Sequence, residues 1–104
     1  MIDLYTWPTP NGRKISILLE ELEILYNTIP IDISNDEQFT KEFTNISPTN
    51  KIPAIIDKEN NQTIFETGAI MLYLSNKNNK FLSKENYWEI MKWFFFQISQ
   101  VGPF

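Results

Sequence analysis

Apolar residues recur along this chain with two different periods, and the switches between them mark its elements. Residues 2–6, with Ile2, Leu4 and Tyr5, form a short run of branched and aromatic side chains and predict a strand. The next six positions, Trp7-Pro8-Thr9-Pro10-Asn11-Gly12, break it with two prolines, an Asn and a Gly. From Arg13 to about Tyr26 the period changes. Ile15, Leu18, Leu19 and Leu22 follow helical spacing, with Glu20, Glu21 and Glu23 on the opposite side. β-branched residues return at Thr28–Asp32 and predict a second strand, parallel to the first because a helix separates the two. Residues 34–47 are polar, with Phe39 and Phe43 four apart, and predict a short helix or irregular turn. Pro53–Asp57 and Thr63–Phe65 predict an antiparallel hairpin about the polar turn Lys58-Glu59-Asn60-Asn61. From Thr67 to about Asn76 the pattern is helical again.

The order is therefore βαβ, then α, then ββα, an α/β fold on a mixed four-stranded sheet. After Asn76 the composition turns to Asn, Lys and Ser, which predicts a linker to about Ser83. A final helix is predicted over Lys84 to Val101, where Tyr87, Ile90, Met91, Phe94, Ile98 and Val101 share helical spacing. Trp88, Trp93, Phe95 and Phe96 add apolar surface on its other faces. A helix apolar nearly all round is normally buried against more than one neighbour, and the chain stops at Gly102-Pro103-Phe104 before any appears. The expectation is that another chain covers this surface or that the region which did so has been lost.

Composition narrows the chemistry. A chain of 104 residues makes one domain with a real core, and 42% apolar against 21% charged residues describes a globular protein. A net charge of −4 with no basic cluster argues against nucleic acid as the main partner. With no Cys there is no disulfide, no thiolate nucleophile and no thiolate metal site, and with no His there is no imidazole base and no ordinary zinc site. Any thiol chemistry must use a thiol that the substrate brings. No targeting segment precedes the first strand and no window is long and apolar enough to span a bilayer, so a cytoplasmic protein without membrane contact is expected.

Two stretches offer candidate ligand contacts. In Asn50-Lys51-Ile52-Pro53-Ala54-Ile55-Ile56-Asp57 a proline heads a strand, which leaves the preceding Ile52 extended with backbone groups pointing outward. In Ile64-Phe65-Glu66-Thr67-Gly68-Ala69-Ile70 an acid and a hydroxyl stand at a helix N-terminus, where unpaired N–H groups favour an anionic ligand. The Trp7–Gly12 loop lies at the carboxyl edge of the first strand, the edge at which open α/β sheets bind ligands. Each candidate also has a plainer reading. Asn11 is a good cap for the helix that follows, Thr9 can complete a turn between prolines, and Glu66-Thr67 can be a capping pair. Gln38 and Lys51 can be solvated surface groups, and Tyr5 is placed for core packing.

The phrases Pro10-Asn11-Gly12, Ile46-Ser47-Pro48-Thr49-Asn50-Lys51-Ile52-Pro53-Ala54-Ile55 and Phe65-Glu66-Thr67-Gly68-Ala69-Ile70 resemble the thioredoxin-like domain of the glutathione transferase superfamily. Within it they look like the nu class, which includes bacterial glutathione-dependent disulfide-bond reductases. The resemblance runs over essentially residues 1–104. It implies a thioredoxin-like domain over residues 1–77, a linker over 78–83, and at 84–104 the first helix of a truncated all-α domain. It implies glutathione as co-substrate with no metal, a small disulfide or electrophile as second substrate, and a homodimer. It also implies that the bond before Pro53 is cis, that the Ile52 backbone holds the cysteinyl part of glutathione, and that Glu66 and Thr67 hold the γ-glutamyl amine and carboxylate. Thr67 stands where the family more often has Ser. Thr9 and Asn11 are implied to lie near the sulfur as the catalytic residues, with Gln38 and Lys51 reaching the backbone or glycine carboxylate. The function implied is a glutathione-dependent transferase or disulfide reductase. A non-catalytic module binding glutathione or a protein is the alternative left by the missing helical domain.

Overall fold

In a computed structural model, which describes residues 1–78 and 84–98, strands β1 (Ile2–Thr6), β2 (Tyr26–Pro30), β3 (Ala54–Asp57) and β4 (Gln62–Phe65) form one mixed sheet. Their order is β2-β1-β3-β4, with β1 and β2 parallel and the other two pairings antiparallel. Helices α1 (Pro10–Glu21) and α3 (Thr67–Lys77) cover one face, and the short α2 (Lys41–Ile46), reached through two 3-10 turns at Ile33–Asn35 and Glu37–Phe39, covers the other.

The period-2 pattern of the strands sorts the core into two parts. Ile2, Leu4 and Ile55 meet Ile15, Leu19 and Leu22 from α1 and Ile70 and Leu74 from α3. On the opposite face Ala54 and half-buried Tyr5 and Phe65 meet Phe43 and Ile46 from α2. Phe43 is buried and Phe39 exposed, so only one of the two predicted helical aromatics serves as an anchor. Among the described residues the core has one ionised member, Asp57 on β3, whose side chain is fully buried. Tyr73 donates to its Oδ2 at 2.6 Å, Lys77 bonds the same oxygen, and the Glu59 N–H donates to Oδ1 at 3.1 Å. A buried charge is retained only with such partners.

Both ends of α1 differ from the sequence expectation, each for a local reason. Helix α1 begins at Pro10 rather than Arg13, because Thr9 caps it: its Oγ1 accepts from the Gly12 N–H at 3.1 Å, and Pro10 takes the first turn, where no N–H is needed. Asn11 therefore lies inside the first turn and is not the cap. The helix ends at Glu21 rather than near Tyr26. Glu23 adopts φ 57°, and its N–H and that of Ile24 return to the Glu20 and Leu19 carbonyls at 3.1 and 3.0 Å. This is a Schellman stop with Glu in the seat that Gly usually takes. The chain is then free to enter β2 two residues earlier than Thr28.

Helix α4 (Tyr87–Phe96) starts three residues after the predicted Lys84 and buries Met91, while Trp88 and Trp93 stay 76% and 63% exposed. Asn78 caps α3, and the rest of the predicted linker and the end of the last helix, Val101 included, lie outside the described residues.

Candidate functional site

The register of the sheet brings the candidate stretches to one end. Thr6 pairs with Pro30, Tyr5 with Ala54, and Ala54 with Phe65. Continued by one step, these registers set Thr6, Pro53 and Glu66 in a row across the sheet. The residues that leave this row are the β1–α1 loop with Thr9 and Asn11, the Lys51-Ile52 segment, and the N-terminus of α3 at Thr67.

At that end a cleft of about 290 Å³ is lined by Thr9, Pro10, Asn11, Ile33, Gln38, Asn50, Lys51 and Ile52. Five predicted site residues thus share one cavity: Thr9, Asn11, Gln38, Lys51 and Ile52. Pro53, Glu66 and Thr67 do not line it: Pro53 and Glu66 stand beside it in the row, and Thr67 opens α3 just after. The Ile52–Pro53 peptide bond is cis, and β3 begins only at Ala54, one residue after the proline. Neither the N–H nor the C=O of Ile52 makes a hydrogen bond among the described residues. A strand-like segment is thereby left open at the mouth of the cleft.

Several groups are held ready rather than used up. The Thr9 hydroxyl accepts from Gly12, so its proton remains available to donate. Gly12 permits this geometry, since a Cβ there would run into Thr6 Oγ1 and the Trp7 carbonyl. Gln38 Oε1 is buried with no hydrogen-bond partner among the described residues, and an orphan amide oxygen costs about 1–3 kcal/mol until a donor reaches it. Glu66 turns the chain from β4 into α3 at φ 77°, with no capping bond from its side chain. The first three N–H groups of α3 are therefore open, as at any uncapped helix start.

Asn50, which the sequence did not single out as a site residue, organises the cleft wall. It sits at φ 59°, and its Nδ2 donates to the Gln38 carbonyl at 3.0 Å and to Thr44 Oγ1 at 2.6 Å. Ser47 Oγ donates to the Lys51 carbonyl at 2.8 Å and completes the brace. The available signal was an Asn at the end of Ser-Pro-Thr-Asn, since Asn tolerates positive φ better than most residues. Tyr5 lies away from the site: its ring packs on Phe43 at 6.2 Å between centroids, and burial, with the Asp3 and Glu42 charges, pushes its hydroxyl up from the ordinary value. Among the described residues no group of three or more His, Cys, Asp or Glu side chains is placed to hold a metal.

The family model of the glutathione S-transferase N-terminal domain matches residues 1–76. The chain belongs to that family. The disulfide-bond oxidoreductase YfcG of Escherichia coli (strain K12) is 46% identical over 110 residues, covering 99% of this chain and 51% of the relative. A glutathione transferase family member from Pseudomonas fluorescens, solved with two glutathione bound, superposes with a TM-score of 0.90 at 42% identity, covering 98% of this chain and 48% of that one. A glutathione transferase from Pseudomonas putida, solved with one glutathione disulfide bound per subunit, gives 0.91 at 40% identity over 98% and 47%. The chain spans about half the length of each of these relatives. Its four-stranded mixed sheet between α2 and the α1–α3 pair is the thioredoxin-like domain of the family. No helix among the described residues is long and apolar enough to cross a membrane.

Proposed function

We propose that this chain binds glutathione across the sheet end and uses its thiolate to reduce a disulfide or attack a small electrophile. The observation that carries the reading is the open backbone of Ile52 beside the cleft that Thr9 and Asn11 share with Gln38 and Lys51. The cysteinyl part of glutathione pairs with Ile52 as an added strand would, with its sulfur toward Thr9 and Asn11. Its γ-glutamyl amine and carboxylate meet Glu66, Thr67 and the open N–H groups of α3. Gln38 and Lys51 take its backbone and glycine carboxylate. Solved relatives with glutathione or glutathione disulfide bound support the choice of ligand.

Without Cys or His the protein positions and stabilises a thiolate that it does not itself supply. The Thr9 hydroxyl and the Asn11 amide donate hydrogen bonds to the charged sulfur, which favours the thiolate over the thiol. Attack on a disulfide RS–SR′ forms the mixed disulfide GS–SR and releases R′S⁻, which takes up a proton. A second glutathione thiolate attacks the glutathione sulfur of the mixed disulfide, giving glutathione disulfide and RS⁻. Two glutathiones are oxidised and one disulfide is reduced.

On this reading residues 1–77 are the glutathione-binding domain, 78–83 a linker, and 84–104 the start of an all-helical domain, in a cytoplasmic homodimer. A second reading, a module that binds glutathione without turnover, is favoured by the exposed aromatic face of α4 around Trp88 and Trp93. Calorimetry with glutathione, followed by turnover of a small dialkyl disulfide, separates the two. Glu66→Ala should weaken binding about tenfold, the loss of one charge-assisted hydrogen bond. Binding with no turnover above the uncatalysed rate selects the module, and no binding at millimolar glutathione refutes both.

A further inference from the structure

The inference concerns Gly68, the second residue of α3, and it rests on the glutathione site proposed above. Gly68 does not need its conformational freedom, since its φ is not positive. What it lacks is a side chain where another element comes close. A Cβ built there would lie 2.6 Å from Ile98 Cδ1 and 3.7 Å from both Ile98 Cγ1 and Phe94 Cζ. At the first distance Ile98 Cδ1, the far end of its side chain, would have to turn aside, and the other two are ordinary contacts. The backbone of the first turn of α3 is thus a notch that receives one methyl group of Ile98, in the turn that continues α4 beyond Phe96.

This notch adjoins Thr67 and the open N–H groups of α3. Apolar atoms of Phe94 and Ile98 therefore stand against the helix end that is to hold a carboxylate. Thr67 and Gly68 are half-buried there, and each water that Phe94 and Ile98 displace is one fewer competitor for the N–H groups in their pull on an anion. We infer that Gly68 is a positioning residue: by admitting Ile98 it lets α4 wall the pocket for the γ-glutamyl head group of glutathione. The last helix then belongs to the binding site, although none of its polar groups is needed for contact.

The contact suggests a methyl exchange as its test. Gly68→Ala adds one carbon in the notch, and Ile98→Val removes the Cδ1 that would meet it, so the double variant conserves the packed volume. Gly68→Ala alone should weaken glutathione binding by about fivefold or more in calorimetry. Addition of Ile98→Val should bring the affinity back to within about twofold of the parent chain. Thermal unfolding without ligand reads the packing alone. Ala is the better helix former at position 68, so Gly68→Ala should raise the melting temperature if Ile98 does not press on it and lower it if it does. Unchanged affinity in Gly68→Ala overturns the inference, as does a loss that Ile98→Val fails to relieve. A lowered melting temperature with unchanged affinity shows a structural role only and overturns it too. If the parent chain binds no glutathione, the site reading falls and the positioning role with it, while unfolding of the parent and the two variants still shows whether the notch is filled by Ile98.

Discussion

Lys77→Met isolates the ionised pair that fastens the far end of α3 to the sheet. In the parent chain the Lys77 ammonium bonds Asp57 and also Glu59, at 2.7 Å. The methionine keeps most of the packing volume and removes the charge, leaving the Asp57 carboxylate buried with only the Tyr73 hydroxyl and the Glu59 N–H. Breaking a buried pair by removing one partner costs about 3–5 kcal/mol. Here the lysine side chain is 32% exposed and Asp57 keeps two donors, so about 2–3 kcal/mol is expected. That corresponds to a fall in melting temperature of roughly 8–20 °C.

The pH dependence makes the test sharper. Burial pushes the Asp57 carboxyl up, but the hydrogen bonds from Lys77, Tyr73 and the Glu59 N–H outweigh it and hold its pKa below the usual carboxylate range. A lowered folded pKa contributes stability that is present above the unfolded value of about 3.9 and is lost as pH falls through the folded value. Lys77 is shifted the other way by the hydrogen bonds from its ammonium to Asp57 and Glu59. Its contribution is complete below the unfolded value of about 10.4 and is lost as pH rises beyond that. Lys77→Met should therefore lower stability at neutral pH and flatten its decline as pH falls below about 4. Urea unfolding followed by circular dichroism at neutral and acid pH measures both. Stability within about 0.5 kcal/mol of the parent at pH 7, or an unchanged acid slope, would refute the argument.

Substitutions at two further positions test the backbone seats that the side-chain pattern did not disclose. Glu23→Gly should stabilise the fold by up to about 1 kcal/mol in chemical unfolding, because Gly occupies the left-handed stop of α1 without the Cβ clash; a loss of stability would contradict this reading of the stop. Asn50→Ala should cost about 2–3 kcal/mol, from two lost hydrogen bonds plus the penalty of Ala at positive φ. Asn50→Gly should cost less than Asn50→Ala despite removing more atoms, and the reverse order in urea unfolding would show that φ is not what the position selects.

The sequence by itself determined the succession of elements, because burial on a sheet or helix face imposes periods of 2 and 3.6 that survive in any environment. Ile2 and Leu4 against Ile15, Leu19 and Leu22 show this, and so does the polar turn that makes β3 and β4 a hairpin. It also determined the limits on chemistry, since a chain without Cys or His has no thiolate or imidazole to use wherever it folds. Helix ends were legible where the capping residue had its usual identity and misleading where it did not. Thr9 capped in place of Asn11, and Glu23 took a seat normally held by Gly. The predicted site residues could be named from short phrases, but their juxtaposition could not. The antiparallel register of β1 and β3 and the turns before α2 bring residue 9 to residues 38 and 52, and no local pattern encodes contacts over such separations. The brace of Asn50, the orphan oxygen of Gln38 and the notch at Gly68 were decided by the tertiary structure alone. Each exists only because a second element, distant in the chain, closes against the first.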